Sequence, residues 1–293
     1  IKTELFVMQT AVAKRLADGR RLHLHHGPID LIIGVDGDRA AAFAAATQRF
    51  HTVLEELVAE LPILRCQKKG GVTGAIALQM QRAVQPHVNW GFVTPMAAVA
   101  GAVADTVLTA MLTKAKMRRA YVNNGGDIAL WLSGTERFRT LVADRDNSEL
   151  ARITLTIADP ARGIATSGRH GRSLSRGIAD AVTVLAQTAA EADVAATLIA
   201  NAVDLPGHAA ICRAPACDLD PENDLGQRHV VTGVGGLAGS DVVAALGRGG
   251  LLAEQMRGKG LICGAALFLR GNSYIIDPAK TQFNQLGKNV EYA

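Results

Sequence analysis

The stretch AYVNNGGDIALWL, Ala120 to Leu132, sets Asn123, Asn124, Gly125, Gly126 and Asp127 between two apolar runs. Glycine tolerates positive φ and leaves its amide uncovered, so such a turn can offer N–H groups to a phosphate or carbonyl. Asp127 would then hold a ribose hydroxyl, an amide or a metal. Asn-Gly is also the strongest short-range hairpin signal, and on local grounds alone the hairpin is the favoured reading. In EADVAATLIAN, Asp193 and Thr197 stand four residues apart on an expected helix. That spacing puts two hard oxygen donors on one face, a turn apart, which suits Mg²⁺ while leaving positions for water or phosphate. The pair alone fits a solvated helix face better.

A third cluster, TSGRHGRSLSRGIAD, gathers Thr166, Ser167, Ser173 and Ser175 with Arg169, His170, Arg172 and Arg176 among glycines. Hydroxyls, cations and one titratable imidazole in a loop suit phosphate or carboxylate binding and proton transfer, or else an exposed basic loop. Three weaker signals point away from chemistry. TGVGGLAG at 232–239 departs from G-x-G-x-x-G and has no convincing strand-helix-strand setting or later acidic residue, against a dinucleotide site. His23 and His25 share a strand face with no third ligand in view, as on a solvated face. Cys212 and Cys217 form the sole close cysteine pair, whereas a zinc site normally shows two, so free thiols in a reducing compartment are expected.

These clusters need elements to hold them. RRLHLHHGPIDLIIGVDGD alternates and then runs apolar across Gly-Pro, as a β-hairpin. DRAAAFAAATQRFHTVLEELVAEL reads as a helix capped by Asp38 and closed by Pro62. TPMAAVAGAVADTVLTAMLTKAKM reads as a second, with Thr94 as cap and Pro95 at the first position; its small residues permit close backbone approach. The asparagine-glycine turn follows between two strands. Then come a strand, the polar loop from Ser167 to Gly177, a buried strand DAVTVLA, and a helix opening at Thr188 with Glu191 in a capping box. The tail repeats strand, loop, helix and hairpin. With no repeat period and no clear linker, the expectation is one α+β domain over 1–293, helices covering a mostly antiparallel sheet.

Composition bounds the function. The 293 residues are 48% hydrophobic, enough for a large core, with a formal charge of +4 spread along the chain. Basic pairs such as Lys68-Lys69 are short and aromatics are 4%, which argues against a nucleic-acid platform. No run reaches 18 uninterrupted apolar residues, and IKTELFVMQT carries no signal-peptide core. A cytoplasmic protein without membrane or nucleic-acid partners is expected, with a homodimer as the default assembly.

In order, the clusters resemble the ApbE superfamily, whose familiar members are magnesium-dependent FAD:protein FMN transferases. There a small-residue helix with a Gly and a later Asp, matched by Gly101 and Asp105, precedes an N-x-GGDI turn, matched by NNGGDI. A TSG segment and a VTV strand lead to an ADA-x-AT helix whose Asp and Thr bind magnesium, matched by Asp193 and Thr197. The resemblance covers about residues 90–205. It is closest to a branch marked by PMAAVAGA, NGGDI, SG…SLS…AD-A-VTV and ADAAAT. It implies an α+β, T-fold-related fold, Mg²⁺ held by Asp193 and Thr197, and FAD or another phosphate-bearing ligand. The ligand would lie on Asn124, Gly125, Gly126, Asp127, Gly101, Asp105, Ser167, Ser173 and Ser175. It turns the glycine turn and the Asp/Thr pair from bland features into expected site residues.

Two departures bear on the reaction. Ala100 stands where transferases usually carry Lys, and RHGRSLSRGIAD replaces their H-x-x-DP-x-TG segment; YIIDPAK at 274–280 resembles it but follows the metal helix. His170 is the one local imidazole available as acid or base, and Asp127 is the second catalytic candidate. The leading expectation is FMN transfer from FAD to an acceptor protein, or related phosphoryl-type chemistry. The alternatives are an accessory protein that binds without transfer, serving a metabolic enzyme, or an enzyme acting on a small acidic or heterocyclic metabolite.

Overall fold

Strict alternation in RLHLHH turns Leu22, Leu24 and His26 inward and leaves His23 and His25 outward, as a strand with one buried face requires. The computed structural model describes residues 10–67, 70–143, 148–277, 283–285 and 290–292. Lys68-Lys69, most of the opening IKTELFVMQT and the end of YIIDPAK lie outside the described residues.

In chain order the elements are β1 (Val12–Arg15), β2 (Arg21–His26), β3 (Ile29–Gly37), α1 (Arg39–Leu64), α2 (Ala75–Val84), α3 (Val99–Lys114), β4 (Met117–Asn124), β5 (Asp127–Leu132), β6 (Phe138–Ala143) and β7 (Glu149–Leu155). There follow β8 (Gly163–Ser167), β9 (Ala181–Ala186), α4 (Ala189–Ala202), β10 (Ile211–Pro215), α5 (Ala216–Leu219), β11 (His229–Val234), α6 (Gly239–Gly258), β12 (Gly264–Leu269), β13 (Asn272–Ile276), β14 (Phe283–Gln285) and β15 (Val290–Tyr292). Ten strands form one sheet in the order β1-β2-β3-β4-β5-β8-β9-β12-β13-β15, antiparallel except where β13 meets β15. The expected α+β class with a mostly antiparallel sheet is what the chain adopts.

The two sheet faces are covered differently. Helices α1, α3, α4 and α6 share one core with inward residues such as Leu31, Ile33 and Val184. On the other face Ile128, Leu130 and Phe268 pack under β6 and β7, which with β14, paired to β7, form a small second sheet. Strand β9 is therefore buried along its whole length, and a strand covered on both faces reads as the unbroken run AVTVLA.

Most of the capping signals hold, although Pro95 opens a 3₁₀ turn and the α-helix itself begins at Val99. Asp38 Oδ1 accepts from Ala41 N at 3.1 Å to open α1, and Thr94 Oγ1 accepts from Met96 N at 3.2 Å in the 3₁₀ turn Pro95–Ala98 that leads into α3. At α4 the capping box is complete: Thr188 Oγ1 accepts from Glu191 N and Glu191 Oε2 accepts from Thr188 N. Pro62 does not close α1; it sits inside the last turn, where the helix forgoes one i→i−4 hydrogen bond and still runs on to Leu64. The 95–114 stretch is long and apolar enough to cross a membrane by composition, yet α3 packs against α1, α4, β4 and β5 with Val103, Val107 and Met111 buried.

Strand β11 pairs antiparallel with β10 in a separate two-stranded sheet, so TGVGGLAG lacks the parallel crossover a dinucleotide fold needs. His23 and His25 share the outward face as expected; Asp30 faces His25 across the hairpin, 3.1 Å from His23 Nε2 and 3.4 Å from His25 Nδ1, without metal-ligating geometry among the described residues. This is a partly exposed cross-strand cluster. All four cysteines are free.

His87, in the turn after α2, is buried with Nδ1 lacking a hydrogen-bond partner among the described residues. Burial lowers its pKa from the ordinary 6.5 to about 4. The unfolded chain therefore binds the proton more readily. Stability is complete above pH ~6.5 and falls as the pH drops toward ~4, by on the order of 3 kcal/mol. Urea denaturation at pH 7, 5 and 4 should show this slope in the wild type and a flatter one in His87→Phe; equal slopes would refute it.

Candidate functional site

Three glycines let the backbone of α4 sit unusually close to its neighbours. A Cβ on Gly101 would lie 2.3 Å from Ala189 O, one on Gly163 2.0 Å from Thr188 O, and one on Gly177 2.0 Å from Ala200 O. Only glycine fits such backbone contacts. The start of α4 is thus pressed between α3 and β8, and its end against the polar loop. Gly101 N reaches Asp193 Oδ2 at 3.1 Å as a result.

The NNGGDI turn is both hairpin and cradle. Gly125 and Gly126 take φ of +65° and +115°, and a Cβ on Gly126 would meet nothing within 4 Å. Asn123 Oδ1 accepts from Gly126 N at 2.8 Å, which closes the turn, and Asn124 Nδ2 donates to Ala100 O at 3.1 Å, which ties it to α3. The Arg172 guanidinium lies over Gly125, 3.9 Å from the position a Cβ would take. A cation therefore stands beside the turn at Gly125, while Gly126 is left open.

Directly after the turn, Asp127 projects from the start of β5, where the Thr166 amide partly offsets the effect of its burial. Asp193, on α4, interacts with it electrostatically. Burial pushes both carboxyls well above the ordinary carboxylate range; for Asp193 the neighbouring Asp127 charge adds to this, against the pull of the Gly101 and Ala100 amides. Neither has a Lys or Arg ion-pair partner among the described residues. Thr197 follows one turn along α4, partly buried.

This donor set fits a hard divalent cation. Two desolvated carboxylates without a counter-charge are costly unless protonated or joined by a cation. Among the described residues no three of His, Cys, Asp or Glu meet at ligating geometry. An ion would take Asp127, Asp193 and the Thr197 hydroxyl and keep positions for water or phosphate, the habit of Mg²⁺.

The remaining expected residues divide. A cavity of about 340 Å³ brings Gly125 and Gly126 together with Ser167 and His170. His170 Nε2 lies 3.4 Å from Asp180 Oδ1, which also accepts from Arg169 Nη2 at 2.7 Å. Asp180 and Thr183 line this cavity; they sit in the AD-A-VTV motif, but nothing in the motif marks them as site residues. Asp105 is committed elsewhere: it accepts from Ala189 N and Ala190 N at the head of α4 and from Gln79 Nε2, and burial raises its pKa to about 6. Ser175 Oγ is occupied with Gly177 O at 3.0 Å, and Ser173 is exposed; neither lines the cavity. Gly101 acts as a close-packing residue whose amide reaches Asp193, with no open space above it for a ligand.

Helices on one face of a long antiparallel sheet, with a glycine turn and an aspartate-bearing helix meeting at its centre, define an ApbE-like fold. The ApbE protein of Thermotoga maritima MSB8 superimposes with a TM-score of 0.51 at 12% identity, over 94% of this chain and 97% of that one. The chain belongs to the family described as AbpE bacteria, whose model matches residues 13–275. Among its relatives, a UPF0280 protein of Methanopyrus kandleri is 35% identical over 209 residues, 69% of this chain and 82% of the relative. One from Methanothermobacter thermautotrophicus is 39% identical over 117 residues, 39% of this chain and 44% of that protein.

Proposed function

We propose that the protein binds a phosphate-bearing ligand, a flavin nucleotide such as FAD first among them, with Mg²⁺ at the junction of β5 and α4. The observation that carries this reading is the electrostatic coupling of Asp127 and Asp193, both partly buried and without a Lys or Arg ion-pair partner among the described residues, beside an open glycine turn. Asp193, Asp127 and Thr197 would hold the ion, whose chemistry there is to neutralise and orient a pyrophosphate. The Gly125-Gly126 turn would let the ligand approach the backbone, with Arg172 over it as a second cationic contact. Transfer of FMN from FAD to an acceptor protein is the reaction the ApbE resemblance suggests. In it His170, steered by Asp180, would move the acceptor's proton.

The departures at Ala100 and in RHGRSLSRGIAD favour a second reading, binding without transfer or action on a smaller acidic or heterocyclic metabolite in the cavity beside His170. Incubation of purified protein with FAD and Mg²⁺, followed by measurement of retained flavin and released AMP, separates them. Retention with AMP release, lost in Asp193→Ala, is the expected result. Retention without AMP selects the second reading, and neither retention nor release with any magnesium concentration refutes the flavin assignment.

A further inference from the structure

We propose that the cleft between the end of α4, the β10–β11 ribbon and the Trp90–Phe92 loop is a binding site for a small organic anion, a carboxylate or phosphate ester carried on an apolar ring. The cleft holds about 660 Å³, the size of a small-molecule pocket. Three guanidiniums line it, those of Arg176, Arg213 and Arg228, and Asp204 is the sole carboxylate in its lining.

Asp204 is already engaged. It pairs with Arg213, whose other amino group donates to Arg176 O at 2.7 Å. Arg228 stacks on the Phe92 ring with its guanidinium carbon 3.4 Å from the centroid, and donates to Leu225 O from one edge. Arg176 is held by its backbone, its amide donating to Asn201 Oδ1 at 2.9 Å, but its side-chain Nε is buried without a hydrogen-bond partner among the described residues. Its pKa is lowered by burial and then by the charges of Arg228 and Arg213. Two positive charges are therefore left over in the cleft, and an anion would offset their mutual repulsion.

Recognition follows from the groups present. Planar guanidiniums bind carboxylate or phosphate through paired N–H donors. Trp90, Phe92 and Leu198 supply apolar and aromatic wall for the body of the ligand. This site uses none of the metal-binding donors, and it stands or falls apart from the flavin reading.

The test is calorimetric titration in EDTA, so that divalent-metal binding plays no part, with phenyl phosphate, benzoate and benzyl alcohol as probes. Phenyl phosphate or benzoate should bind and benzyl alcohol should not; the tighter of the two anions identifies the group as phosphate or carboxylate. Arg228→Ala, at an exposed position, and Arg176→Gln should each weaken binding by about tenfold or more, as loss of a charge-assisted contact does. Melting curves establish that each variant is folded, and Arg228→Ala alone suffices should Arg176→Gln fail to fold. Absence of anion binding, equal binding of benzyl alcohol, or unchanged affinity in the folded variants would overturn the proposal.

Discussion

Asp193→Asn should melt at a higher temperature than the wild type in metal-free buffer, and should lose the further rise that Mg²⁺ gives the wild type. The asparagine side chain keeps an oxygen to accept from Gly101 N, so the α3–α4 contact survives. The substitution removes one of two desolvated carboxyls that repel each other, as Asp193 and Asp127 do. The relief should be on the order of 1 kcal/mol, about 2–4 °C for a chain of this size. For the wild type, Mg²⁺ at about a hundred times its dissociation constant should add roughly 2.7 kcal/mol by mass action, and nothing comparable in the variant. A site that loses stability in order to bind is expected where function and fold compete. A variant that melts lower without metal, or still gains from Mg²⁺, would show that Asp193 serves the fold alone.

Gly101→Ala should destabilise by about 3 kcal/mol or more, at the upper end of the range for overpacking. The added methyl would meet the backbone of Ala189 and Ala190 at 2.3–2.6 Å, and backbone cannot swing aside as a flexible side chain can. Parting α3 from α4 also weakens the Gly101 amide contact to Asp193 and the two amides that Asp105 accepts. Gly247→Ala is the internal control. It sits exposed in α6 with nothing within 4 Å of its Cβ, and there the same change should stabilise by roughly 0.5–1 kcal/mol through helix propensity. Denaturant titration of both variants checks the opposite signs; two effects of similar size would contradict the close-packing role of Gly101.

The site is legible in the sequence wherever chemistry and local conformation coincide. NNGGDI announces its turn because both central residues need positive φ, and the Thr188/Glu191 box marks where α4 begins. What adjacency in the chain cannot convey is which groups are already committed. Asp105 has the residue type and helix position of a site carboxylate, yet it is spent on the α4 amides, a partnership set by tertiary approach. Gly101 looks like a place for a ligand and is filled by backbone. Conversely, the pairing of His170 with Asp180 and the placement of Arg172 over Gly125 arise from the path of a loop with no periodic pattern to read. The small sheet of β6, β7 and β14 escapes the sequence for a similar reason: it buries a face of the central strands, and those strands record only that something apolar covers them.

Asp127 and Asp193 should together hold a divalent cation on which a phosphate-bearing ligand docks. Electron paramagnetic resonance of Mn²⁺, used in place of Mg²⁺, tests it most directly. The expected result is one ion bound per chain, a spectrum that changes when FAD is added, and loss of that ion in Asp193→Asn. Flavin that binds equally well in EDTA, or an ion bound unchanged in Asp193→Asn, would contradict it.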